Sequence, residues 1–469
     1  MLPLVELPEI VRHYAPWFAS VFSPDAFAQF QRYISGLIVS ENKTVDGINR
    51  IFVIDLRNQS SLNRLLTESP FSLDTLNQAR LNMLGSLPRT RMKPKGVLSV
   101  DDTLLTHYGK HFEKIAYLYD HTQGCYVWAH NLVNLHYSDD QTDYPVHFRL
   151  WEPAATDDLE AGLKAAGVLI RASKYALKDS APHKWRNYLL GLWRRHQNKP
   201  AVQQLYHSKL LIAQQMLTQF FSDHRDRHLP VTFDNWYTQP AFCRFLDQTL
   251  QVAYVGTLAG DDQVHLASEV QSLDAFDLYL QHEHHDALKQ GAPLIFHKIT
   301  IFYKGEQETY YSYCHTHRIH NFGKQRLVIN HRKADLSDAA TFLMSNKLNW
   351  QAHGITRIRR HRWPVEVYHE EGKADGLDQY QVRDFHAISR HIALVAVTYS
   401  LLRAAHHDHA LLHTLQQQIK MKLDGSAGSC RRHTQAQALW ALATFIATAL
   451  SQGRTLSELM EPLVTALCY

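Results

Sequence analysis

Apolar residues recur at helical spacing through residues 27–38 and 62–84, which predicts a helical region over residues 1–92. Residues 90–95 (TRMKPK) are basic, contain a proline and lack apolar periodicity, so they read as a junction. From Gly96 the pattern changes. GVLSVDDT predicts a short strand ending in acids, and residues 126–137 and 144–151 are β-rich runs of strand length. A long helical stretch follows, ending in residues 204–221. Residues 229–234 (LPVTFD) predict another strand ending in an acid, 241–250 a helix and 251–255 a strand. Three strands, helix, strand, helix, strand define a mixed α/β core. Residues 290–345 break this rhythm: 294–303, 309–313 and 325–329 are β-prone and rich in tyrosine, which predicts a β-rich insertion. Helical periodicity returns at Pro364 and runs with breaks to Leu402. Residues 405–469 are helical again, with a turn expected at 424–429. The chain therefore divides into a helical region (1–92), a first core part (93–256), an insertion (257–345, β-rich from about 290), a final core part (346–404) and a helical end (405–469).

Composition narrows the class. The chain has 469 residues, 45% hydrophobic and 20% charged, which suits a folded protein and excludes a disordered or collagen-like one. Five cysteines, scattered and without a CxxC pair, argue against a disulfide framework and a zinc ribbon and fit a reducing compartment. The N-terminal residues lack the basic segment of a signal peptide. The apolar runs 392–402 and 438–450 are shorter than the roughly 18–20 residues of a membrane span, so both are expected to be buried core helices. A cytoplasmic protein with no membrane partner is expected. The 31 histidines invite a zinc reading, but 282–285, 314–320 and 406–409 offer no closed set of four ligands at zinc spacing, which disfavours a His-based metallohydrolase.

The net charge of +4 names no partner; its local distribution says more. Basic residues crowd positions 171–199, Lys184, Arg186, Arg194 and Arg195 among them, with Asp179 the one acid against them and Trp185, Tyr188 and Trp193 interleaved. Arg357, Arg359, Arg360 and Arg362 form a second cluster. Such clusters contact phosphates.

Acids end the predicted strands at Asp102 (or its neighbour Asp101) and at Asp234, and Glu366 opens a helix. Carboxylates from separate elements suit hard divalent cations, and two such cations can activate water and stabilise a leaving oxygen in phosphoryl transfer. Pro364 suits a first helical turn, which places Glu366 near the positive end of the helix dipole. Lys373, seven residues on, lies about 20° off the same meridian and about 10 Å along the helix.

Arg362-(3)-Glu366-(6)-Lys373 resembles the Y-(2)-R-(3)-E-(6)-K signature of the IS-four superfamily of bacterial insertion-sequence DDE transposases. Ser99-Val100-Asp101-Asp102-Thr103 resembles the family's first-aspartate strand. Val231-Thr232-Phe233-Asp234, with Trp236 and Tyr237, resembles its second. Residues 206–217 resemble the helix before it, and residues 362–402, including Gly376–Arg383 and Arg390-His391, its most characteristic block. The similarity spans about residues 90–405. Arg359 stands where the family has tyrosine.

The resemblance implies an α/β fold: an RNase H-like mixed-sheet catalytic core interrupted by a β-rich insertion, with helical N- and C-terminal regions. It implies a catalytic and metal-binding triad of Asp102, Asp234 and Glu366, the Asp-Thr match selecting Asp102 over Asp101. Mg²⁺, or Mn²⁺ in its place, would drive cleavage of transposon ends. The freed 3′-OH would then attack target DNA, after a hairpin step in hairpin-forming members. The implied partners are double-stranded DNA, at terminal inverted repeats and at the target, and a second copy of the chain held through residues 405–469. Arg359, Arg362 and Lys373 would contact DNA, the helical region 1–92 would recognise transposon-end DNA, and Phe342 is the positional match for an aromatic stacked on a flipped base. The alternative is a transposase-derived DNA-binding protein that does not cut.

Overall fold

The computed structural model describes the chain except residues 1, 56, 268, 409, 412, 414, 415, 418, 419, 421–425 and 469, and the side chains of 463 and 466–468. Its spine is a 12-stranded sheet. The first strand, β1 (Val97–His107), pairs antiparallel along its whole length with β3 (Cys125–Ser138), which carries β2 (Ala116–Asp120) on one stretch and β4 (Asp143–Trp151) on another. β5 (Val231–Phe233) lies parallel to β1, and β6 (Tyr254–Leu258) parallel to β5. The order β4-β3-β1-β5-β6 is that of an RNase H-like core.

Two strands depart from the sequence expectation. β1 does not end at its acids: the ladder to β3 continues from Leu104↔Asn131 to His107↔Trp128, which keeps the backbone extended beyond them. Asp101 and Asp102 therefore stand mid-strand. β6 begins three residues later than expected, because Gln251 takes a left-handed turn (φ 55°) and the chain is still reversing there.

The insertion prolongs the same sheet. After β7 (Gln263–His265) and β8 (Val270–Ser272) comes the helix Leu273–Gln290, which no apolar periodicity announced. Then follow β9 (His297–Tyr303), β10 (Glu306–Ile319), β11 (Gly323–His331) and β12 (Thr341–Ser345). β12 returns antiparallel to β6, so the insertion is welded to the core edge. Phe342, on β12, is 5% exposed and packs within the main core.

Residues 1–92 are helical as expected, with the run 62–84 broken into Gln59–Thr67 and Leu73–Ser86 around Pro70. These helices share the main core with the helix Phe385–His407. Arg390 donates to the carbonyls of Leu66 (3.0 Å) and Ser69 (2.5 Å), Arg80 to Ser400 Oγ (3.0 Å), and Tyr33 meets His391 Nδ1 at 2.8 Å. The helix carrying Arg390, His391 and Ser400 thus joins the helical region to the core. The helix Phe385–His407 is long and apolar enough to cross a membrane, but 83% of its apolar window is buried inside the protein, as expected for residues 392–402.

Residues 438–450 differ from expectation. The helix Ala427–Ser451, capped by Ser426, packs its first half on the core; beyond it Leu439 and Trp440 are 57% and 62% exposed. The turn expected at 424–429 lies partly outside the described residues, and Ala427–Ser429 already belong to the helix.

A buried charge network ties these parts together. Asp143, on β4, accepts from Lys304 Nζ (2.8 Å) at the β9–β10 turn, and from Arg403 (3.0 Å) and Tyr399 (2.9 Å) on the helix Phe385–His407. Burial opposes its charge, yet the neighbouring cations hold its carboxyl well below the usual range. Asp143→Asn is expected to lower stability by about 3 kcal/mol in urea unfolding, since it strips a counter-charge from a buried network; an unchanged midpoint would contradict the network's role.

Many histidines are structural. Burial pushes His107, His147 and His391 down to about 4 and His369 to about 3. Between those values and pH 6.5 the folded chain binds fewer protons than the unfolded one, so stability rises with pH and is lost on acidification. The thermal midpoint is expected to fall between pH 7 and pH 5; a flat profile would refute this.

Candidate active site

Adjacent residues on a strand alternate in direction, and Asp101 and Asp102 take different partners although both line the same cavity. Asp102 stands opposite Val133 and meets Asn131, whose Nδ2 donates at 2.6 Å. The helix Lys209–Asp223 covers this side. Ser208 caps it, accepting from Leu211 N at 3.2 Å, and Lys209 at its first position reaches Asp102 at 2.9 and 3.1 Å. Tyr237 O–H also donates to Asp102, at 2.9 Å. Asp101 stands opposite Asn134, which contacts His369 Nε2 at 2.9 Å on the helix Trp363–Ala374. Its own carboxylate accepts from Arg362 at 2.6 Å.

Asp234 follows β5, where the parallel pairing with β1 delivers it beside the two acids. Its Oδ1 accepts from Tyr237 N at 3.2 Å, and Thr238 Oγ1 clamps its carbonyl at 2.8 Å. Asp101, Asp102, Asp234 and Lys373 line one cavity of 700 Å³, with Lys209, Asn131, Trp151 and Trp236. Burial is the main cause that pushes Asp101 up to about 7; the Asp234 and Asp102 charges add to it and Arg362 opposes it. Asp234 is raised too, by burial first and by Asp102.

Glu366 sits in the first turn of its helix, as the proline signal implied, and is held by Arg362 Nη2. Arg362 thereby bridges Asp101 and Glu366. Arg359, whose Nε is buried with no partner among the described residues, is pushed down to about 10 by burial and by Arg362, and feels Glu366, Asp234 and Asp101. The second basic cluster is otherwise occupied: Arg357 pairs with Asp140 (2.7 Å) and Arg360 forks onto Glu308 (2.8 and 3.0 Å). In the first cluster Lys184, Arg194 and Arg195 are exposed and Arg186 is half-buried on the helix Pro182–Arg195, while Trp185 and Trp193 turn inward to a satellite core.

The donors are carboxylates, the chemistry a hard divalent cation takes, and a cation there would offset the burial, and after it the neighbouring carboxylate charge, that raise Asp101 and Asp234. Among the described residues no three His, Cys, Asp or Glu side chains close on one point, and Arg362 holds Glu366. The histidine clusters likewise form no metal-holding group among these residues, and His409 lies outside them. Lys209, Asn131 and Arg362's grip on Asp101 escaped sequence reasoning, since each depends on register and on contacts between distant segments. The Ser208 cap before Lys209 was the one local signal.

A mixed sheet that gathers strand-borne carboxylates beneath a glutamate-bearing helix defines an RNase H-like nuclease core. The chain belongs to the DDE superfamily endonuclease family, whose model matches residues 17–272, more than half its length. That span holds Asp101, Asp102 and Asp234; Glu366 lies beyond it. No curated protein matches the chain. The family's activity is metal-dependent cleavage of DNA.

Proposed function

We propose that the protein is an insertion-sequence transposase of the IS-four type, which cleaves the ends of its own element and joins them to target DNA. The observation that carries this reading is the meeting of Asp102 and Asp234 in one cavity with Lys373, beside the Arg362–Glu366 pair, in the register of the Arg-Glu-Lys signature. Asp102, Asp234 and Glu366 would hold Mg²⁺ ions, which supply an activated water and neutralise charge on the leaving 3′-oxygen. Lys209 and Tyr237 orient the Asp102 carboxylate, and Asn131 fixes its second oxygen. Arg359 and Lys373 offer cations to the phosphates that flank the scissile bond. Water displaces the 3′-oxygen from phosphorus at the element end. The freed 3′-OH then displaces a 3′-oxygen of the target, directly or after a hairpin step.

Leu439, Trp440 and Leu456 leave an apolar face on the C-terminal helices, which suits a second copy of the chain, as synapsis of two ends needs. The DNA on either side of the gene tests the reading. Short inverted repeats bounded by a target duplication are expected, and purified protein with Mg²⁺ should join a repeat-ended duplex to a supercoiled plasmid. Cleavage without any joined product would reduce the protein to an endonuclease; binding without cleavage would leave a DNA-binding derivative.

A further inference from the structure

Lys373 lies in the last turn of the helix that Glu366 opens, and it lines the carboxylate cavity. The acids two residues before and two residues after it, Glu371 and Asp375, are both held by one side chain of the C-terminal helix Ala427–Ser451. Arg431 Nη1 donates to Asp375 Oδ1 at 2.7 Å, and Nη2 to Glu371 Oε2 at 3.3 Å. Gly428, in the first turn of that helix, comes so close that a Cβ there would lie 3.1 Å from Glu371 Oε1. The Glu371 carboxylate thus meets the positive end of the helix dipole. Past Asp375 the chain turns at Gly376 (φ 101°), whose N–H returns to the Lys373 carbonyl at 3.0 Å, while Leu377 N–H reaches the Gly372 carbonyl at 2.8 Å. The turn that carries Lys373 is therefore pinned on both sides. The pinning is costly. Asp375 is fully buried, and burial raises it to about 6 against the pull of Arg431 and, after it, of Lys43. Apolar side chains of similar volume join two helices as well as a buried ion pair does, or better; what an arginine fork adds is direction.

We propose that Arg431 is a positioning residue: from the C-terminal helix it sets the direction of Lys373 toward a DNA phosphate, by gripping the acids on either side of that lysine. The inference rests on the DNA-cleaving reading for the phosphate that Lys373 meets. It joins the helix on which the exposed Leu439 and Trp440 stand to the carboxylate cavity.

The test is a double-mutant cycle in the full chain, in EDTA, so that binding is read without cleavage. Anisotropy titrations with a fluorescein-labelled twenty-base-pair duplex, repeated over a salt series, give affinity and salt slope for the native chain, Lys373→Ala, Arg431→Gln and the double variant; circular dichroism checks that each folds. Lys373→Ala is expected to weaken binding roughly fivefold and to lower the salt slope by about one. Arg431→Gln removes a charge already paired with two acids, yet it is expected to do nearly the same, and Arg431→Lys to recover part of the loss. The double variant is expected to match Lys373→Ala within roughly twofold, because one residue acts through the other. A folded Arg431→Gln with native affinity and slope, or losses that multiply in the double variant, overturns the inference. If Arg431→Gln does not fold, Glu371→Gln, on a side chain 21% exposed, carries the same cycle with the same outcomes. A chain that passes the cycle yet never cleaves in Mg²⁺ refutes the transposase reading alone.

Discussion

Asp234→Ala is expected to abolish DNA cleavage, by about 10³-fold or more, in a chain that still folds. The side chain lies just past a three-residue strand and accepts only from loop N–H groups, that of Tyr237 at 3.2 Å and that of Trp236, so its removal leaves the sheet intact. Its charge is another matter. Burial and the nearby Asp102 raise its pKa, which means the folded chain holds a carboxylate where carboxylates are disfavoured. A site that bears such a cost is a candidate for function. Cleavage assays in Mg²⁺ against a thermal melt separate the two roles; a variant that melts normally and still cuts would remove Asp234 from the chemistry.

Arg362→Ala is expected to have the second largest effect, on stability and on cleavage together. Arg362 is 8% exposed and joins Asp101 to Glu366, so deleting it leaves two carboxylates facing each other across a partly buried gap. A loss of about 3–5 kcal/mol is expected from breaking such a pair, read as a lower urea midpoint. Arg362→Lys should recover part of the stability through its charge, but not the fork onto both acids. Equal behaviour of the alanine and lysine variants would contradict the bridge.

The sequence disclosed the parts of this site that depend on local chemistry. Pro364 announced the helix that carries Glu366, and the apolar runs before Asp102 and Asp234 announced their strands. Lys373 was legible from helical geometry, and it does line the cavity. What stayed hidden depends on pairing. The ladder from β1 to β3 carries the strand past its acids and brings Asn131 to Asp102, and no periodicity in either segment encodes that register. The basic residues at 357–362 look like one DNA-facing patch in the sequence, yet Asp140, Glu308 and Asp101 neutralise three of them from distant segments. Residues 438–450 read as buried because apolar composition does not say what a helix is buried against, and this one extends past the core. The 31 histidines are answered in part by packing: several are neutral, buried members of the core.

The central claim is that the Asp102, Asp234 and Glu366 carboxylates drive metal-dependent cleavage at the element's ends. Its most direct measurement is an end-labelled duplex of the flanking inverted repeat, incubated with Mg²⁺ or EDTA and with the native chain or Asp102→Ala. Cutting at the repeat boundary to leave a 3′-OH is expected only with the native chain and only in Mg²⁺. A chain carrying Asp102→Ala that cuts at the native rate would contradict the account.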